Sequence, residues 1–251
     1  MLIEFMGLPG GGKTTLYNYA RSFLENEGHQ VLTNEDLWKR ERIYYRAALK
    51  GNFCERLYSL LLLGHSILIK LPAIICFISN NVNFIVGVII IILTHHKKWR
   101  SRFIILKYFF IDILQYSTYY SLKGTKDSIV LFDEGFVHHI FTYLIGRKKN
   151  VNLKIIKWYR QKVPLPNLIV YVPTSPDICL KRMRQRGLPY RFSGESFDVI
   201  NKLLIIADGI YSELYEFIKN ECPDTHILQL KTNSLEKASY ILLGYLQKNL
   251  G

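Results

Sequence analysis

Hydrophobic and polar positions alternate between two periods along this chain, and the switches between them lay out a repeating strand–helix order. Short apolar runs with the length of buried strands occur at Leu2–Met6, Gln30–Thr33, Ser128–Phe132, Asn167–Thr174 and His226–Leu230. Such runs, rather than strict alternation, suit strands covered on both faces of a parallel sheet. Between them lie stretches with a helical period. Leu16, Tyr19, Ala20, Phe23 and Leu24 make one stripe of a helix over Leu16–Glu27. Helices are predicted likewise over Phe136–Ile145, Leu153–Lys162, Phe197–Asn220 and Leu235–Leu250, and one starts at Ser175-Pro-Asp177 and ends at Gly187. Strands alternating with helices predict an α/β fold of three layers around a five-stranded parallel sheet.

The second strand and the third are far apart, and residues 36–127 between them read as a helical insertion of unusual composition. Leu57–Ile69 is uncharged, and Leu71–Thr94 carries no charge at all, broken only by Pro72 and by Ser79, Asn80, Asn81 and Asn83. Ile85–Leu93 is hydrophobic all round, and the basic run His95–Arg102 follows at once. Three placements are open: helices buried in the domain or a dimer, a surface or re-entrant membrane contact through 57–102, or a hairpin crossing a bilayer. An even number of crossings is required if the flanking strands share one sheet. Pro72 is the expected turn. Trp99–Leu122 reads as a long amphipathic helix whose aromatics (Phe103, Tyr108, Phe109, Phe110, Tyr116, Tyr119, Tyr120) are read as core.

The first strand runs straight into Gly7-Leu-Pro-Gly-Gly-Gly-Lys-Thr14, which has the spacing G-x-x-x-x-G-K-T of a phosphate-binding loop. Glycines at 7, 10, 11 and 12 let consecutive backbone N–H groups turn toward phosphate oxygens, and the following helix offers its positive end to the same anion. Lys13 is placed to reach the β- and γ-phosphates, and Thr14 to ligate Mg²⁺. Pro9 and Thr15 complete the nucleotide-binding set. In an open parallel sheet the ligand sits beyond the carboxyl ends of the strands, so the acidic residues there become candidates. Glu35 is a candidate general base, although Asn34 as a helix cap with Glu35 and Asp36 on the helix dipole explains the same residues. After the third strand, Asp133 is the candidate for the metal and Glu134 for the acceptor. Gly135 would let the chain turn sharply there.

Lys181, Arg182, Arg184 and Arg186 crowd the end of the helix after the fourth strand. Arg182 and Arg186 share a face. They predict a lid over 181–195, with Tyr190–Glu195 as its moving part, that neutralises charge on a transferring phosphoryl group and keeps water out.

Charge adds an anionic partner to this picture: 33 Lys and Arg against 20 Asp and Glu give +13. A nucleic-acid partner is not expected, since no recognition helix, zinc finger or RNA-binding strand is present. Cys54, Cys76, Cys179 and Cys222 lack metal spacing and read as reduced thiols. The loop begins at residue 7, so no leader is expected ahead of it, which points to the cytoplasm, with the inner face of a membrane as the site of any peripheral contact.

The ordered set of motifs resembles the nucleoside and nucleotide kinases of the P-loop class, in the thymidylate kinase-like and deoxynucleoside kinase-like branch. Leu168–Gly187 looks like that branch's fourth strand, helix and arginine lid, and Leu32-Thr-Asn-Glu-Asp-Leu-Trp38 is similar to the deoxynucleoside kinase pattern. The resemblance implies Glu35 as the base and Trp38 in the substrate pocket. The chain departs where thymidylate kinases carry Asp-Arg and deoxynucleoside kinases Glu-Arg-Ser, with Asp133-Glu134-Gly135 instead, and its glycine loop looks more like that of adenylate kinase-type enzymes. The expectation is a kinase with ATP and Mg²⁺ as cofactors and a small hydroxyl or phosphate acceptor, in one domain over 1–251. Catalysis is assigned to Lys13, Glu35, Asp133, Glu134, Arg182 and Arg186, and Arg184 joins the nucleotide site. The competing expectation is a membrane-associated NTPase or regulator.

Overall fold

A computed structural model describes residues 1–37, 68–96, 99–122, 128–144, 152–189, 192, 194–231 and 234–250. Five parallel strands, β1 (Leu2–Gly7), β2 (Gln30–Thr33), β3 (Ser128–Phe132), β4 (Leu168–Val172) and β5 (His226–Gln229), form one sheet in the order β2-β3-β1-β4-β5. The centre is β1, in register with both neighbours: Leu2 opposite Val130, and Ile3 opposite Leu168.

Side chains alternate across the pleat, so the sheet builds two cores. On one face Ile3, Phe5, Ile129, Leu131, Leu168 and Val170 meet α1 (Lys13–Asn26) and the C-terminal helix, Leu235–Leu250. In α1 the buried positions are Leu16, Tyr17, Ala20 and Leu24. Tyr19, read from the sequence as part of that stripe, is 49 % exposed, and Tyr17 takes the core position with its ring edge-on to Phe5. On the other face Leu2, Met6, Val130, Phe132, Ile169 and Tyr171 meet the remaining helices.

Among the described residues the insertion supplies three of them: α2 (Leu68–Asn80), α3 (Val82–His95) and α4 (Trp99–Leu122). The bend between α2 and α3 is 84°. It falls at Asn81, whose side chain donates to the Phe77 carbonyl, and not at Pro72, which lies inside α2. Helix α2 is fastened to the core through Phe77, and α3 is half-sunk. Phe84, Val88 and Ile92 of α3 are fully covered, whereas Val82, Val86, Ile90 and Leu93 face out. The buried face of α3 comes close enough to α6 (Leu153–Lys162) that a Cβ on Gly87 would stand 2.2 Å from the Trp158 ring. The aromatics of α4 divide in the same way: Phe109, Tyr116 and Tyr119 are core, and Phe103, Tyr108, Phe110 and Tyr120 are exposed, contrary to the reading of the whole stripe as core.

Helix α5 is shorter than the pattern predicts, running Ile140–Leu144, because residues 136–139 form turns that carry buried polar contacts. Helices α7 (Pro176–Arg186), α8 (Phe197–Glu221) and α9 (Leu235–Leu250) complete the chain. The hydroxyl of Ser175 makes no cap bond to α7, whereas Ser196 accepts from the Val199 N–H at the start of α8. Trp38, residues 57–67, Lys97, Lys98, Tyr190, Arg191 and Ser193 lie outside the described residues.

Candidate active site

The order β2-β3-β1-β4-β5 puts the point where connections diverge at the carboxyl ends of β1 and β3, and the site assembles there. The loop from Gly7 to Gly12 is packed against other backbone. Gly10 has φ +88, and a Cβ on it would lie 2.8 Å from the Cys179 carbonyl oxygen. Gly12, at φ +99, is the left-handed cap from which α1 departs. Thr174 donates to the Gly11 carbonyl at 3.0 Å and Arg182 to the Gly10 carbonyl at 3.2 Å. The segment after β4 and helix α7 therefore hold the loop from behind, while the Gly11 N–H closes a turn onto the Leu8 carbonyl at 3.0 Å. Pro9 is buried in it, and Thr15 is exposed at the first turn of α1.

Lys13 is 5 % exposed, and its ammonium donates to the Leu8 carbonyl at 3.2 Å. Thr14 donates its hydroxyl to Asp133 Oδ2 at 3.0 Å, which joins the start of α1 to the end of β3. The other oxygen of that carboxylate, Oδ1, is buried and has no hydrogen-bond partner. A buried carboxylate oxygen in that state fits a cation. A hydroxyl plus a carboxylate is the hard-oxygen donor set that suits Mg²⁺ when phosphate oxygens and water complete the shell. Burial raises the Asp133 pKa, with Lys13 opposing it. Among the described residues no group of three or more His, Cys, Asp or Glu could hold a metal without such help.

Asn34 ties β2 to this centre. Its Oδ1 accepts from the Asp133 N–H at 3.2 Å, while its Nδ2 donates to the Glu134 carbonyl and to Gln115, each at 3.2 Å. The helix cap expected of Asn34 belongs to Thr33, which exchanges bonds with Asp36: the Thr33 hydroxyl donates to Asp36 Oδ2 at 2.7 Å, and the Asp36 N–H donates to the hydroxyl at 3.2 Å. This reciprocal pair consumes Asp36 structurally. Glu35, between them, is exposed at the head of that helix.

The network around Glu134 was not foreseen. His138 Nε2 lies 3.1 Å and His139 Nε2 3.6 Å from its two oxygens. His139 Nδ1 is 2.6 Å from Asp112 of α4, and Tyr143 also donates to Asp112. Burial alone would push His139 down, but Asp112 and Glu134 hold it up at about 10, so it is a cation at neutral pH. Burial pushes His138 down to about 3, helped by Lys13, so His138 is neutral and donates through Nε2. Burial would raise Glu134, yet His138, His139 and Lys13 keep it well below the usual carboxylate range. The result is a carboxylate held ionised beside Lys13 by a histidine that an insertion residue orients.

Directly behind lies Glu4, the one polar residue on the inner face of β1 and fully buried. Tyr116 donates to its Oε2 at 2.6 Å and the His138 N–H to its Oε1 at 2.7 Å. Burial raises it from 4.5 to about 7, against the lowering effect of those two donors. The folded protein therefore keeps a proton that the unfolded chain loses near pH 4.5. Stability falls as pH rises through that window by up to about 3 kcal/mol, and levels off above it. Urea denaturation from about pH 5 to about pH 7.5 should show this slope in the wild type and lose it in Glu4→Gln. Parallel slopes would exclude Glu4 as the source.

Among the lid arginines, Arg182 reaches the loop, Arg184 stacks over Phe197 with 4.3 Å from guanidinium to ring centre, and Arg186 is exposed at the end of α7. Phe192, within the lid segment, is 2 % exposed and packs into the larger core, an anchor in the stretch expected to move. The residues missed from the sequence did leave signals. Glu4 is a charge within an apolar strand, Asp112 is the one acidic residue between Glu55 and Asp127, and His138-His139 follow Glu134 at helical spacing.

No family model and no curated protein matches the chain. Several solved structures do. Deoxyadenosine kinase from M. mycoides with bound dATP is similar at 13 % identity and a TM-score of 0.48, over 98 % of this chain and 100 % of that one. The same enzyme with the products dCMP and a flexible dCDP gives 14 %, 0.47, 99 % and 100 %. Shikimate kinase from Acinetobacter baumannii in complex with shikimate gives 16 %, 0.40, 100 % and 95 %. Identity and score at this level do not speak to substrate, and the chemistry of this chain follows from its own residues. A phosphate-binding loop on the central strand of a parallel sheet ordered β2-β3-β1-β4-β5 gives it the three-layer α/β architecture of a P-loop fold.

Proposed function

We propose that the chain is a kinase that transfers the γ-phosphoryl group of ATP to a small acceptor bearing a hydroxyl or phosphate. The observation that carries this reading is the contact of Thr14 with an Asp133 whose second oxygen is buried and unpartnered, next to Lys13 at the root of the glycine loop. The loop N–H groups and Lys13 would bind the β- and γ-phosphates, Lys13 releasing the Leu8 carbonyl to do so. Thr14 and Asp133 would hold Mg²⁺, which when bound neutralises charge on the phosphates. Glu134, held ionised, orients the acceptor and takes its proton where that acceptor is a hydroxyl; Glu35 is the second candidate for that proton. Arg182 is nearest among the lid arginines to the phosphate loop and would stabilise charge during transfer, with Arg186 following if the lid closes.

The test is consumption of ATP by purified protein with Mg²⁺ against nucleosides, nucleotides, sugars and lipid-linked alcohols. One acceptor is expected to raise turnover at least about tenfold over the blank and to gain a phosphate. A single rate of hydrolysis whatever is added would replace the kinase reading with that of an NTPase.

A further inference from the structure

The insertion presents to solvent what a folded domain ordinarily hides. Helix α2 exposes Leu68, Leu71, Ile75 and Ile78 at helical spacing, and α3 exposes Val82, Val86, Ile90 and Leu93. The inner face of α3 is packed through Phe84, Val88 and Ile92, and α2 is fastened to the core through Phe77. The outer stripe of α3 is therefore a second apolar surface, and the exposed aliphatic residues of α2 add to it. Exposed hydrophobic surface on this scale marks an interface.

Charge selects the partner. From residue 56 to residue 111 the chain has seven basic residues (Arg56, Lys70, Lys97, Lys98, Arg100, Arg102 and Lys107) and no acidic one. A second copy of this chain would set the same cations against each other across a two-fold axis with no carboxylate between them. A nucleic acid would satisfy the cations but not the aliphatic stripes. An anionic lipid surface satisfies both. The start of α4 has the corresponding anatomy: Trp99 is 62 % exposed, its ring meets Phe103 edge-on, and the Arg102 guanidinium lies 6.0 Å over it. Trp beside Arg, an apolar ring with a charged head, suits the depth of lipid headgroups.

We propose that this insertion docks the protein peripherally on an anionic bilayer, with the outer stripes of α2 and α3 at the headgroup–acyl boundary and the basic residues at the start of α4 on lipid phosphates. Surface docking is favoured over spanning by the lengths. Among the described residues no single helix is long and apolar enough to cross, and although α2 and α3 pass by length and composition together, they meet at 84°. A bent pair defines a plane and lies along a surface, whereas α3 alone reaches about 21 Å of the roughly 30 Å hydrocarbon layer. The proposal is independent of the catalytic reading.

The test is flotation of the purified full chain with vesicles of phosphatidylcholine alone and of phosphatidylcholine with phosphatidylglycerol. Binding is expected on the mixed vesicles, weaker by at least about tenfold on neutral ones, and reduced as salt is raised. Val86→Glu with Ile90→Glu should abolish it, and Arg100→Glu should weaken it, with an unchanged far-ultraviolet spectrum because these positions face solvent. Equal binding to both vesicle types, resistance to alkaline carbonate extraction, or a dimer that ignores vesicles would each overturn the proposal.

Discussion

Lys13→Ala should lower ATP-dependent phosphorylation by about a thousandfold or more while leaving the protein folded. The side chain is enclosed by the loop, its ammonium donates to the main-chain oxygen of Leu8, and its charge lowers the carboxyls of Asp133 and Glu134. On the proposed function the activity effect is large because the ammonium would meet the charge that accumulates on the transferring group, beside Asp133 and Glu134, which would otherwise repel a triphosphate. Activity within tenfold of wild type, measured on the acceptor that the turnover panel identifies, would remove Lys13 from the phosphate site. A melting temperature lowered by more than about 5 °C would show instead that the lysine is structural.

Gly135→Ala should have the largest effect on stability. Gly135 has no left-handed backbone, and its constraint is space: a Cβ there would stand 2.7 Å from the carboxyl carbon and Oε2 of Glu4. Glu4 cannot yield easily, since Tyr116 and the His138 N–H fix both oxygens and burial leaves no water to replace them. Overpacking of this kind costs about 1–3 kcal/mol and breaking a buried bond adds to it, so a drop of roughly 5–12 °C in Tm is expected for a chain of this size. The clash should be relieved in a Glu4→Ala background, so the pair should be strongly non-additive. Additive losses would show that the two residues do not meet.

How much of this the chain disclosed in advance depended on range. The glycine loop, the strand before it and the helix after it are contiguous, so a local pattern located Lys13 and Thr14, and the apolar strand ending in two carboxylates located Asp133 and Glu134. The architecture was legible for the same reason, because parallel strands covered on both faces read as continuous apolar runs. The network behind Glu134 joins residues 4, 112, 116, 138 and 139 from three separate segments, and no periodicity within any one segment shows where the others lie. Tyr17 against Tyr19 was a question of which side of α1 the sheet covers. The insertion was ambiguous in another way: a run hydrophobic all round left burial, surface contact and a crossing hairpin open, because it has no period to show that α3 is buried on one side and exposed on the other. The caps went astray between near equals, Thr33 taking the bonds expected of Asn34.

The pairing of β1 has a consequence for how the protein is made. It is made before the other four strands and is the central strand of the sheet, yet its neighbours are β3, from Ser128, and β4, from Leu168. At ordinary rates of synthesis it waits on the order of ten seconds for its first partner. During that wait the uncharged stretch Leu71–Thr94 emerges without the sheet that covers its inner face. Contacts this distant in sequence make for slow folding. The nascent chain should therefore depend on a holding chaperone, or on early capture of its apolar helices by a surface, to keep its central strand available until β3 arrives.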